Sequence, residues 1–289
     1  MRSGTIQIKA LSAIADRFDH VLLDQWGTLH EGGAVFPAAR NCVQRLRDAG
    51  KRVLVLSNSG KRARNNEERL EALGLPPAAY DGILTSGEVT WNSLHARARE
   101  PFVNLGRTCL LITRGGDYSI VDGLDLTMVA DVQEADFILL GGLDDAVAEP
   151  EHWRDGLISA AARRLPMLCA NPDLTMFSAK RLIPAPGALA KFYETLGGHV
   201  IYVGKPHAPI FDAALERLGH PDPRRVLMVG DSLDHDIAGA RAAAMLTLLL
   251  TSGVHRETLA WAPDPPTPVR TLAKSQNRVP NWVMSHLAW

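Results

Sequence analysis

Five residues of this 289-residue chain have types and positions suited to chemistry: Asp24, Ser57, Lys205, Asp231 and Asp236. Asp24 ends the apolar run VLL and is followed by QWGTL. A carboxylate held at the end of a buried strand, with Gly27 permitting a tight turn, is placed to attack an electrophile in line. The same residue also reads as a cap on the next element. Asp231 follows VLMVG, and Asp236 comes one short loop later in GDSLDHD. Three carboxylates gathered at one edge repel one another unless a cation lies among them, and hard oxygen ligands with open positions favour Mg²⁺. Ser57-Asn58-Ser59-Gly60 offers a hydroxyl and exposed backbone N–H groups where a phosphate would bind, although a serine there serves equally as an N-cap. Lys205, in VGKPH, reads alone as a surface charge; beside an anionic cluster it would pair with Asp24 and with a bound phosphate.

The elements that must position these residues are legible in the hydrophobic pattern. Near-continuous apolar runs at His20–Leu23, Arg52–Leu56, Gly82–Leu84, Val200–Val203, Val226–Val229 and Leu246–Leu250 predict strands buried on both faces, hence a parallel sheet. Helical patterns lie between them. One starts at Pro37, repeats apolar residues at Ala39, Val43 and Leu46, and stops at Gly50; another runs from Pro209 to Leu218 and stops at Gly219. This alternation predicts an α/β fold, a Rossmann-like doubly wound sheet whose chemistry sits at the carboxyl ends of its strands. Between Leu84 and Val200 a long insertion shows its own strands (Cys109–Thr113, Phe137–Leu140, Met167–Cys169) and a helix near His152–Arg164. An insertion of that length needs its own small core. The expected organisation is a core of residues 1–85 and 185–289 carrying an inserted α/β cap of residues 86–184, with Pro184–Gly187 as the hinge back. The proline-rich tail from His255 (Pro263, Pro265, Pro266, Pro268) is expected to be irregular.

Composition narrows the partners. Lys and Arg total 31 against 32 Asp and Glu, a net charge of −1, which gives no basic field for nucleic acid or an anionic membrane. Lys61, Arg62 and Arg64, followed by Glu67 and Glu68, read as a solvated helix face. Three scattered cysteines (Cys42, Cys109, Cys169) give neither zinc spacing nor a disulfide framework and favour a reducing compartment. With no signal-like segment and no run long enough to span a bilayer, the expectation is a cytoplasmic protein acting on something small.

Taken in order, DQWGTL, LSNS, GKP and GDSLDHD resemble the four motifs of the haloacid dehalogenase superfamily. The insertion between the second and third, with TSGE at its start and ANPD before the return, resembles class IIA, which includes sugar-phosphate, nitrophenyl-phosphate and pyridoxal-phosphate phosphatases. The resemblance implies a Mg²⁺-dependent phosphatase that hydrolyses a small phosphorylated metabolite through an aspartyl-phosphate on Asp24. It implies Mg²⁺ held by Asp24, the backbone carbonyl of Trp26, Asp231 and Asp236, the last directly or through water. Ser57 with the adjacent Asn58 would hold the phosphoryl oxygens, Lys205 would neutralise developing charge, and a closing cap would exclude water. Asn171 and Asp173 of ANPD are the candidates to reach the leaving group; the same tripeptide reads equally as a turn. Related caps associate in pairs, which makes a homodimer through the cap an expectation.

Trp26 departs from the resemblance. The usual motif is Asp-x-Asp, whose second aspartate protonates the leaving oxygen, and an indole N–H has no such acid–base chemistry. A positioned acid–base group is worth about 10² to 10⁴ in rate, a loss felt most by alkyl phosphates. His30 and His207 are candidate substitutes, each also readable as a packing or surface histidine. Two rival readings follow from Trp26. One is a 2-haloacid dehalogenase, which would carry an aromatic residue here but need no metal. The other is a phosphometabolite-binding protein without turnover.

Overall fold

The computed structural model describes residues 4–178, 181–259, 266–273 and 278–289. The chain divides into two compact units: Met1–Ser57, Asn66–Leu84 and Lys205–Trp289 form the first, and Asn58–Asn65 with Thr85–Gly204 the second.

The first unit is built on a seven-stranded sheet in the order Ile6–Gln7, Trp282–Met284, Leu246–Leu250, Val226–Gly230, His20–Asp24, Arg52–Ser57, Ile83–Thr85. The central strands read VLL, VLVL and VLMV because both faces are covered, and those residues are buried. The helix Pro37–Asp48 buries Ala39, Cys42, Val43 and Leu46, one stripe at helical spacing, and packs against Arg52–Ser57. Register then decides where the polar residues fall. Leu23 lies opposite Val55 and Val229, and Asp24 lies opposite Leu56, so Ser57 and Asp231 emerge at the same carboxyl edge as Asp24. From His20–Asp24 the chain proceeds to Arg52–Ser57 on one side and later to Val226–Gly230 on the other. The aspartates therefore flank the topological switch point, where open α/β sheets leave a crevice.

The second unit has a five-stranded parallel sheet in the order His199–Tyr202, Pro166–Cys169, Phe137–Leu140, Thr108–Ile112, Thr127–Val129. An antiparallel hairpin, Thr175–Ser178 with Arg181–Pro184, belongs to the same unit. Its core gathers Ile138, Leu140, Leu157, Met167 and Leu189 around Tyr193, whose buried hydroxyl donates to the Leu165 carbonyl at 2.6 Å.

Several sequence expectations change. The run at Val200–Val203, expected in the main sheet, forms a strand that pairs with Pro166–Cys169 in the second sheet. Pro184–Gly187 is not a return hinge. Pro184 ends a strand, and Pro186 and Gly187 open the helix Pro186–Thr195 of the second unit, so the chain re-enters the first unit at Lys205. Apolar periodicity shows burial and not the sheet that provides it, which is why the strand is expected in the wrong sheet; proline and glycine open a helix as readily as they mark a hinge. The tail from His255 is not irregular throughout: helices occupy Arg256–Leu259 and Pro266–Leu272, and Trp282–Met284 joins the main sheet beside Leu246–Leu250. Pro263 and Pro265 lie outside the described residues. Lys61 and Arg62 precede the helix Ala63–Ala72 and pair with Asp117 and Glu88, so they are not part of a solvated helix face.

Candidate active site

At the carboxyl edge of the first sheet, Asp24, Asp231 and Asp236 each present an oxygen within 4.8 Å of the others. Lys205 joins them, its Nζ 2.6 Å from Asp24 Oδ1 and 2.6 Å from Asp236 Oδ1. All four residues are buried; Asp236 is 1% exposed and Lys205 3%. Lys205 does not arrive on a strand of the same sheet. It is the first residue of the first unit after the second unit's strand His199–Tyr202.

The local backbone explains the arrangement. Gly27 has φ +77°, and a β-carbon there would overlap the carboxylate of Asp231; the turn after Asp24 needs glycine for both reasons. A β-carbon at Gly253 would overlap the same Asp231 oxygen. Asp231 Oδ2 accepts the Val254 N–H at 2.9 Å, and Asp236 Oδ2 accepts the Ser232 N–H at 3.1 Å. Asp236 lies on a single π-turn, Leu233–Ile237, a local widening of the helix that recurs at functional sites. Gly253 and Val254 were missed from sequence. The signal was available, since Thr251-Ser252-Gly253 follows the strand Leu246–Leu250 at the edge where chemistry is expected.

Electrostatics show what the cluster lacks. Three carboxylates face one ammonium, which leaves two negative charges uncompensated in a buried site. At the effective dielectric of a protein, two unit charges 4 Å apart interact by about 4 kcal/mol, too much to leave unbalanced. Burial pushes the Asp24 carboxyl well above its usual range, against the attraction of Lys205 and together with the repulsion of Asp236 and Asp231. Asp231 is pushed up to about 7, by burial first and by Asp236 next. Burial alone would lower the Lys205 ammonium, but Asp236 and Asp24 outweigh it and raise it. A buried, glycine-lined set of hard oxygens in need of positive charge fits a divalent cation.

Ser57 is buried at the end of its strand, beside Asp24 by register. In the second unit Asn58 donates from Nδ2 to Asp173 Oδ1 at 2.7 Å, and its Oδ1 accepts from Ser86 Oγ at 3.4 Å. Asn171 Oδ1 accepts the Asp173 N–H at 3.0 Å, so ANPD forms the turn that was its alternative reading.

Trp26 is 37% exposed, with its ring edge-to-face with His30 at 5.5 Å and the Arg69 guanidinium 5.7 Å away. His30 is buried. Its Nδ1 accepts the Gly32 N–H at 3.0 Å, its Nε2 meets the Gln25 side-chain amide at 3.2 Å, and burial pushes its pKa down to about 4. With so low a pKa the ring is neutral near pH 7, and both of its nitrogens are engaged within the Trp26 loop. His207 is half-buried at the N-cap of Ala208–Arg217.

Comparison with known proteins identifies the family. Residues 21–127 match the model of the haloacid dehalogenase-like hydrolases, and residues 202–275 match a HAD-hydrolase-like model. The chain belongs to the haloacid dehalogenase-like hydrolases. Within the superfamily its inserted second unit and its relatives place it in class IIA. Chronophin of Bos taurus is 30% identical over 268 residues, covering 85% of each chain. Dihydroxyacetone phosphatase of Corynebacterium glutamicum is 29% identical over 241 residues, covering 81% of each. Among solved structures, a haloacid dehalogenase-like hydrolase from Brucella suis superposes with a TM-score of 0.81 at 32% identity, over 97% of this chain and 99% of that one. The p-nitrophenyl phosphatase from Archaeoglobus fulgidus gives 0.71 at 26% identity, over 93% and 96%. Among the described residues of this family member, no helix is long and apolar enough to cross a membrane.

Proposed function

We infer that the chain is a Mg²⁺-dependent phosphatase acting on a small phosphorylated metabolite through an aspartyl-phosphate on Asp24. The observation that carries this is the buried cluster of Asp24, Lys205, Asp236 and Asp231, one ammonium among three carboxylates. The phosphatase names of several relatives support the same reaction class.

Asp24, the Trp26 carbonyl, Asp231 and Asp236 would hold the ion; when bound, Mg²⁺ offsets the carboxylates and withdraws charge from the phosphoryl oxygens. Lys205 engages Oδ1 of Asp24, orients the carboxylate and neutralises charge that develops on the transferring group. An Asp24 oxygen attacks phosphorus as the bond to the leaving oxygen breaks, and that oxygen departs with the electron pair and takes a proton from water. Water then attacks the phosphorus of the aspartyl-phosphate, releasing inorganic phosphate, restoring the Asp24 carboxylate and losing a proton to solvent. Ser57 and the amides after it bind the phosphoryl oxygens.

With Trp26 in the acid position and His30 locked in packing, the leaving group departs without a dedicated acid. Turnover should fall by roughly 10² from p-nitrophenyl phosphate to an alkyl phosphate such as glycerol phosphate, measured as kcat/KM for both. The decisive assay is phosphate release from p-nitrophenyl phosphate with Mg²⁺. Asp24→Asn should lower it by roughly 10³-fold or more. Wild-type release no higher than that of Asp24→Asn would sink the phosphatase reading and favour a binding protein.

A further inference from the structure

The loop that follows Ser57 leaves a strand of the first unit, yet residues 58–65 belong to the second unit. What holds them is the TSGE segment, Thr85–Glu88, at the start of the helix Ser86–Ala96. Each of its four residues grips a different part of the loop. Thr85 Oγ1 donates to the Lys61 carbonyl at 2.7 Å and accepts the Glu88 N–H at 3.0 Å, capping its own helix with the same oxygen. Ser86 Oγ donates to Asn58 Oδ1. Gly87 donates its N–H to the Ser59 carbonyl at 3.0 Å, and a β-carbon there would overlap the Gly60 carbonyl. Glu88 accepts from Arg62 Nε at 2.7 Å and Nη2 at 3.0 Å, and also accepts the Ala63 N–H at 3.0 Å where the helix Ala63–Ala72 begins. The Arg62 guanidinium also lies 4.0 Å from the Trp91 ring centroid, so its planar face is covered as well as its edge.

We propose that Thr85, Ser86 and Glu88 are positioning residues for phosphoryl binding, fixing the loop that follows Ser57 without touching substrate. This rests on the reading of that loop as the phosphoryl-binding loop. A segment at a strand end has no ladder to hold it, and its N–H groups form a fixed anion site only when its carbonyls and side chains are anchored elsewhere. Here the carbonyls of Ser59 and Lys61 and the side chains of Asn58 and Arg62 are all anchored. Asn58 is therefore a relay between Ser86 and Asp173 rather than a direct phosphate ligand, and Arg62 is part of the clamp.

The test uses the full-length protein with inorganic phosphate as competitive inhibitor of p-nitrophenyl phosphate turnover, beside amide hydrogen exchange at residues 59–63. Thr85→Val and Glu88→Gln should each raise the phosphate Ki about tenfold, the equivalent of one lost hydrogen bond to a fixed group, with kcat changed less than KM. Exchange at 59–63 should speed up by a similar factor at temperatures well below each variant's melting point. Thr85→Ser, which keeps both hydrogen bonds of the hydroxyl, should restore both readouts. Unchanged Ki and exchange in Thr85→Val and Glu88→Gln, with only a lower melting temperature, would reduce the segment to an ordinary cap and overturn the proposal. If the wild type shows no Asp24-dependent turnover, it is the phosphatase reading that fails. The exchange comparison then decides alone: faster exchange supports the clamp, and unchanged exchange rejects it.

Discussion

The two parallel sheets of this chain end in different chemistry. The carboxyl edge of the first gathers Asp24, Asp231, Asp236 and Lys205, nearly buried and with excess negative charge. The carboxyl edge of the second carries Gly141-Gly142 after one strand and the Asn171-Pro172-Asp173 turn after another. Both edges have the architecture that places ligands at strand ends, so architecture alone does not make a catalytic centre. What sets the first edge apart is concentrated buried charge. Glycines at 27 and 253 allow the close approach to Asp231, and Lys205 supplies one ammonium among the carboxylates. At the second edge Asn171 and Asp173 bond to each other, and Asp173 also accepts from Asn58.

That contrast can be tested from its strongest consequence downward. Lys205→Met leaves three buried carboxylates without their ammonium, and in EDTA it should cost about 3 kcal/mol of unfolding free energy in a urea melt. Mg²⁺ should recover part of the loss, since both cations offset the same charges; a variant as stable as wild type in EDTA would mean the first edge is not charge-strained. Gly253→Ala forces the Asp231 carboxylate aside and should weaken the Mg²⁺ dependence of turnover by roughly 10-fold or more, read from a metal titration. At the second edge, Asp173→Ala removes one hydrogen bond to Asn58 and should cost about 1 kcal/mol, with the metal titration unmoved. A change in metal response from Asp173→Ala would erase the distinction between the two edges.

Much of the first edge was readable in the sequence because its requirements leave marks. Runs such as VLL and VLMV with an aspartate at the end combine a buried strand and a buried charge, and few other structures call for that combination. Lys205 was readable as a partner of Asp24 but not by its route, because an apolar run does not say which of two parallel sheets will bury it. The strand Trp282–Met284 was hidden by the prolines before it and by its shortness, three residues being too few for periodicity to register. The role of Thr85–Glu88 was invisible for another reason. A capping pattern is common, and only the fold brings the loop after Ser57 onto it.

The pairing of His20–Asp24 with Val226–Gly230 joins residues about 200 positions apart, whereas Thr85–Gly204 is one continuous stretch within the second unit. Contacts so distant along the chain form slowly, and domains completed first during synthesis fold first. On the ribosome the second unit's sheet is therefore complete while the first still lacks the strand that carries Asp231. Through that interval the strand His20–Asp24 has no partner on the side that Val226–Gly230 later covers.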